Sequence, residues 1–120
     1  MSSITAAQLA TPISTIQTGL NQLQALVIQA NISPPGTQVT GPNSTAALSD
    51  FAGNQWTMAG AASGGQFIIF ENGAVPPGAG LGTYITIDIN GVIWSNAPSG
   101  WWKRISGGWT GMGSTGPVFA

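Results

Sequence analysis

Apolar residues in the first quarter of the chain recur at alternating intervals of three and four. Ala6, Leu9, Ile13, Ile16, Leu20, Leu23, Val27 and Ala30 make an a/d seam over about three and a half heptads. Thr11-Pro12 fits an N-cap followed by proline at the first helical position, so the pattern predicts a helix from Pro12 to about Asn31. Residues 3–10 are then a separate turn or an extension of it. Ile13, Leu20 and Val27 fall at a, and Ile16 and Leu23 at d, a mixture that leans toward three strands. The flanking e and g positions are Gln17, Gly19, Gln24 and Leu26, so no ion-pair code selects partners. Leu26 and Ile28 widen the apolar face at its C-terminal end. Two arrangements fit. The favoured one is a self-associating bundle with Leu9, Ile13, Ile16, Leu20, Leu23 and Val27 at its interface; the other is one amphipathic helix packed on the chain's own sheet. A helix of this length with Gly19 inside is marginal alone in water, so it needs a partner in either case.

The period changes at Asn31-Ile32-Ser33-Pro34-Pro35-Gly36, where Pro-Pro-Gly ends a helix and starts a stiff extended connection. This predicts a helical arm over 1–31 and a β domain over 32–120. Residues 39–48 read as weak and turn-like around Gly41-Pro42-Asn43. Gln55-Trp56-Thr57-Met58 reads as a short strand after a Gly53-Asn54 turn, and Gln66 to Glu71 as a strand closed by Asn72-Gly73. Between Tyr84 and Ser95, Ile85, Ile87 and Ile89 alternate with Thr86 and Asp88, and Asn90-Gly91 then precedes Val92-Ile93-Trp94. Alternation on either side of Asn-Gly predicts a hairpin with a type I′ turn and Asp88 pointing outward. Trp101–Ile105 and Gly108–Met112 form another candidate pair across Ser106-Gly107; the tail from Ser114 carries no pattern. The sum is about six short strands in a small antiparallel sheet or open barrel, mainly β with an N-terminal coiled-coil-like arm. Glycine turns leading into tryptophan strands recur at Gly53–Trp56, Asn90–Trp94 and Gly107–Trp109, at unequal intervals. They read as repeated hairpin chemistry rather than a solenoid.

Composition narrows the chemistry. Of 120 residues, only Asp50, Glu71, Asp88, Lys103 and Arg104 are charged, for a net charge of -1. A nucleic-acid binder is excluded, since each phosphate contact wants its own cation. With no His or Cys, disulfides and nucleophilic triads are impossible, and no metal or other cofactor is expected. Three separated carboxylates read as solvated or turn-capping, not as the facing pair of a glycosidase, so no enzymatic activity is expected. The Gly78–Gly82 stretch lacks the lysine and following helix of a phosphate loop. No stretch is apolar for the ~18 residues a membrane helix needs, and the N-terminus does not read as a secretory signal. Export would then be by lysis, within a particle, or by another route.

Pro34-Pro35-Gly36-Thr37, Gly53-Asn54-Gln55-Trp56-Thr57-Met58, Asn72-Gly73, Asn90-Gly91-Val92-Ile93-Trp94, Gly100-Trp101-Trp102 and Gly108-Trp109 together resemble a small Trp/Gly β module. That module recurs in bacteriophage tail-fibre and virion-surface proteins and beside secreted glycan-degrading enzymes. The resemblance spans about residues 34–112. Lys103-Arg104 stands where the family often has Ser-Trp, which alters any aromatic face there. The resemblance implies a non-catalytic module, and with the helical arm it implies a trimeric decoration protein or fibre piece. The expected protein is a homotrimeric virion component, assembled in the host cytoplasm and held to capsid or tail proteins. The other expectation is a glycan-binding adhesin. Trp94, Trp101, Trp102 and Trp109, with Lys103 and Arg104, are its candidate contacts, and Trp101 or Trp102 is the favoured exposed ring because neighbours on one strand face opposite ways.

Overall fold

The computed structural model describes residues 5–120, with the backbone alone for Ile28 and Gln29. The predicted turn or extension over 3–10 thus falls partly on residues outside that range, as does the side chain of Ile28. Two compact units divide between Ala30 and Asn31.

The first unit is one helix, α1 (Ala6–Ala30). It begins six residues before the predicted start, so Pro12 lies inside it and Thr11 is not its cap. The sequence signal for the true start is Thr5-Ala6-Ala7-Gln8. Gln8 N donates to Thr5 Oγ1 at 3.2 Å, and Thr5 N donates to Gln8 Oε1 at 2.7 Å. This reciprocal capping box satisfies two of the helix's orphan donors, and Pro12 then costs one ladder bond one turn further in. Twenty-five residues span about 37 Å. On the polar side Thr15 and Thr18 hydroxyls donate back to the Thr11 and Ser14 carbonyls, both at 3.0 Å.

The second unit holds nine strands rather than about six, in two antiparallel sheets rather than one. They are β1 (Gln38–Thr40), β2 (Leu48–Ser49), β3 (Gln55–Ala61), β4 (Phe67–Glu71), β5 (Leu81–Gly82), β6 (Tyr84–Ile87), β7 (Ile93–Ala97), β8 (Gly100–Ile105) and β9 (Gly108–Gly113). The larger sheet runs β1-β6-β7-β8-β9 and the smaller β2-β3-β4-β5. Between them lies one core. Val39, Ile85, Ile87 and Ile93 come from the larger sheet, and Leu48, Trp56, Met58 and Ile69 from the smaller. The segment read as weak and turn-like thus supplies β1, β2 and two core side chains.

Two of the predicted turns are two-residue hairpins. Asn72-Gly73 and Ser106-Gly107 both have positive φ at each residue, the conformation of a two-residue type I′ hairpin. Asn90-Gly91 does not. Asn90 is outside the positive-φ region, and the last strand pair before the loop is Ile87–Ile93. Gly91 N donates to Asp88 O, and Asp88 N to Val92 O, both at 3.0 Å. The loop is therefore the three-residue kind, a type I turn closed by a left-handed glycine (Gly91, φ 75°). The cause is the Asp88 carboxylate. Its Oδ1 accepts from Asn90 N at 2.9 Å and Val92 N at 3.0 Å, and its Oδ2 from Trp94 Nε1 at 2.8 Å. The alternation breaks with it: Asp88 is 4% exposed and Ile89 51%, the reverse of the expected in–out order.

Asp50 builds the same turn 38 positions earlier. Its Oδ1 accepts from Ala52 N and Asn54 N, both at 2.9 Å, and its Oδ2 from Trp56 Nε1 at 2.9 Å. Gly53 occupies the left-handed position at φ 86°. The shared pattern is Asp, Gly three residues on and Trp six residues on. The two turns also meet, with Phe51 N donating to Gly91 O at 3.0 Å. A Cβ on Gly91 would come within 3.0 Å of the Phe51 Cβ.

The tail, unpatterned in the sequence, is tied down. Ile89 N donates to Val118 O at 2.8 Å, Phe119 packs over Gly36, and Gly116 lies against Trp101.

Candidate functional site

Cross-strand rows decide which way each tryptophan faces. Ile85, Ser95 and Trp102 form one row, on the face that carries the core isoleucines. Tyr84, Asn96 and Trp101 form the next row, on the opposite face, with Thr86, Trp94 and Lys103 one row beyond. The adjacent Trp101 and Trp102 thus diverge to opposite sides, as their spacing predicts.

On the outer face the rings pack on one another. Trp101 meets Tyr84 and Trp94 edge-on, at centroid separations of 6.0 and 6.3 Å. Lys103 Nζ sits 5.5 Å from the Trp94 ring centroid, within cation–π range. Trp94 itself is 4% exposed and its N–H is spent on Asp88, so it is a structural residue and not a ligand contact. A Cβ on Gly116 would come within 3.0 Å of Trp101 Nε1, so the tail partly covers that ring as well.

The inner face is different. Beyond the shared core, Trp102 and Trp109 line a groove of about 320 Å³ whose other walls are Gln66, Gly78, Gly80, Leu81, Ser95, Ala97 and Ser99. No charged residue lines it. Trp102 Nε1 donates to Ser99 Oγ at 3.1 Å, and Ser95 Oγ donates to Leu81 O at 3.1 Å. The glycines of 78–82, which carry none of a phosphate loop's other elements, let this wall press onto the larger sheet. A Cβ on Gly80 would overlap Trp109 Nε1, and one on Gly82 would overlap Ser95 Oγ. Trp109 Nε1 is buried there with no hydrogen-bond acceptor among the described residues.

Arg104, the other half of the basic pair, lies between two rings. Its guanidinium carbon is 5.3 Å from the Trp56 centroid and 5.4 Å from that of Trp109, and it donates from Nη1 to Pro77 O at 2.9 Å. It therefore joins the two sheets at their edge. A second cleft, also about 320 Å³, brings Asp50, Glu71 and Arg104 into one lining. Asp50 there has both oxygens occupied, Oδ2 also accepting from Asn54 Nδ2 at 3.3 Å. Among the described residues no cluster of three or more His, Cys, Asp and Glu side chains could hold a metal ion, and no helix is long and apolar enough to cross a membrane.

The helix carries the other candidate surface. Leu9, Ile13, Ile16, Leu20, Leu23 and Val27 are 47–62% exposed, and Leu26 beside them is 61% exposed. Their side chains make a continuous apolar stripe with no charge on any flank. The sequence pattern announces this stripe and the opposite facing of Trp101 and Trp102. It does not announce the groove, whose walls come from segments far apart in the chain, nor the buried Asp–Trp bonds, whose signal is the repeated Asp/Gly/Trp spacing. Compared with protein-family models, with curated proteins and with solved structures, the chain shows no match.

Proposed function

We propose that the chain is a non-catalytic, self-assembling structural protein, a homotrimer that serves as a capsid-decoration or fibre/tail-attachment component of a bacteriophage virion. The observation that carries this reading is the helical stripe: six a/d side chains at about half exposure or more over about 37 Å, with uncharged flanks. An apolar surface of that extent on a soluble chain marks an interaction site. Its Ile/Leu/Val composition at a and d leans to three strands. The low charge of the whole chain suits surfaces covered in an assembly, and the Trp/Gly resemblance points to virion surfaces. Three β units on one helical bundle would attach to a lattice by avidity, each contact weak alone.

The test is absolute mass in solution by light scattering, on the parent chain and on Leu20→Asp with Leu23→Asp. The parent should weigh three times 12.1 kDa at every concentration tried, and the double variant a single chain. A monomeric parent, or a double variant that stays trimeric, removes the seam as the assembling surface.

A second reading, that the β unit binds glycans, is favoured by a separate observation, the uncharged groove walled by Trp102 and Trp109. The two readings are compatible.

A further inference from the structure

We infer that the groove between the Gly78–Gly82 segment and the inner face of β7–β9 is a binding site for a neutral saccharide of one or two rings, stacked on Trp102. The inference rests on the glycan-binding reading and fixes its place, which the sequence leaves open between Trp101 and Trp102.

Four features define the ligand class. First, the groove offers an aromatic wall, half-buried Trp102, whose outer edge remains accessible and whose orientation is fixed by the bond from its Nε1 to Ser99 Oγ. A fixed ring is what a pyranose C–H face stacks on, and the ordering cost is already met. Second, the polar groups are short and neutral. Ser99 is exposed and accepts from Trp102, which leaves its hydroxyl proton to donate outward. The Gln66 carboxamide, in the opposite wall, makes no hydrogen bond among the described residues and can both donate and accept. Third, no charged side chain lines the groove. Arg104, beside Gly78, is held between Trp56 and Trp109 with a hydrogen bond to Pro77 O. An anionic ligand would lose hydration on entry without a charged side chain in the lining to pair with. Fourth, Trp109 Nε1 is a buried donor lacking an acceptor, closed over by Gly80 at the end of the same groove. Leaving such a group unpaired is unfavourable. A ligand hydroxyl reaching it after a small shift of Gly80 would recover some of that cost. The volume, about 320 Å³, is at the low end of the ~300–1,000 Å³ range of small-molecule sites, which limits the seat to one or two rings.

The outer face cannot compete on the same terms. Trp94 is buried, and Trp101 is packed edge-on against Tyr84 and Trp94 with Gly116 over its nitrogen.

The experiment uses the full chain labelled with ¹⁵N. Its five tryptophan indole N–H signals are followed while maltotriose, cellotriose, tri-N-acetylchitotriose and sialyllactose are titrated in, after a printed array of neutral and anionic glycans has been screened. With at least one neutral sugar, the Trp102 and Trp109 signals should move. The Trp56 and Trp94 signals, locked on Asp50 and Asp88, should stay. Gln66→Ala and Ser99→Ala, at the groove's rim, should each weaken binding about three- to tenfold without changing the unfolding midpoint, and Trp102→Ala should abolish it while Trp102→Phe retains some. If a glycan binds but shifts Trp101 alone, or binds Trp102→Ala unchanged, the groove assignment fails and the glycan-binding reading stands. If only anionic glycans bind, the neutral-ligand assignment fails. If no sugar on the array binds the parent, both fall.

Discussion

Ile13 and Ile85 are the same residue with opposite fates. On the helix the first is 60% exposed, while in the β unit the second is wholly buried. The β unit buries a core of its own: two sheets share it, and the buried polar residues Asp50, Thr86, Asp88 and Ser95 all have partners, although apolar side chains such as Phe51, Ile89 and Val118 stay exposed. The helix meets much of its polar demand within itself, through the Thr5–Gln8 box, the Gln17–Asn21 pair and the Thr15 and Thr18 back-bonds, but its apolar stripe is about half exposed or more. Local hydrogen bonding completes a helix, whereas only a second surface completes an apolar face. The difference separates what makes the chain fold from what makes it associate.

Four substitutions would break or sharpen that contrast. The largest effect is expected at Asp88→Ala, which strands the buried Trp94 indole N–H and two partly buried backbone donors of the turn. Hydrogen bonds to a charged acceptor contribute about 1.5–3 kcal/mol each, and orphaned donors add to the loss. Urea unfolding followed by tryptophan fluorescence should show about 3–5 kcal/mol lost, with Asp50→Ala similar because its turn is built alike. A loss below about 1 kcal/mol in both would mean that the carboxylates are incidental to the β unit. Gly82→Ala comes next. Its new methyl would overlap Ser95 Oγ and crowd Asn96 O, so about 1–3 kcal/mol should be lost from the same transition. Unchanged stability would mean that the 78–82 wall is not seated on the larger sheet. The smallest effect is at Gly19→Ala. Nothing lies within 4 Å of the new Cβ along the helix, so helicity by circular dichroism should rise, with a gain of about 0.5–1 kcal/mol and no change in the β transition. If Gly19→Ala instead dissociates the oligomer, helices of neighbouring copies approach closely at this g position.

Features set by adjacent residues are legible in the sequence. The strands at Gln55–Met58 and Gln66–Glu71, the turns at Asn72-Gly73 and Ser106-Gly107, and the helical seam all follow from short-range pattern. The Asn90-Gly91 turn departs from its signal for a local reason too. Asn-Gly is a strong type I′ signal, but a carboxylate two residues before it competes for the same backbone donors and prevails. The similarity between the Trp56 and Trp94 hairpins is visible in their Gly and Trp residues; the aspartates that generate the geometry read as solvated or turn-capping, and their turn-capping is found, but their burial against the indole N–H is not legible. Division into two sheets is not legible. β1 pairs with β6 some 46 positions later, and nothing in Gln38-Val39-Thr40 announces that partner. The groove is invisible for the same reason: strand register turns Trp102 inward, but the opposite wall forms only because Gly80 and Gly82 lie against Trp109 and Ser95.

The buried aspartates have a consequence for how the molecule meets its medium. Of five charged side chains, Asp50 and Asp88 are enclosed, Arg104 is clasped between rings and Lys103 lies over Trp94, which leaves few fixed charges facing water. A surface so poor in fixed charge has almost nothing for a Debye atmosphere to screen. Sodium chloride over the ordinary laboratory range should therefore barely alter association. Sulfate, which strengthens apolar burial by exclusion from the protein surface, should drive it strongly. On the trimer reading proposed above, the chain's solubility would then depend on how fully its copies assemble.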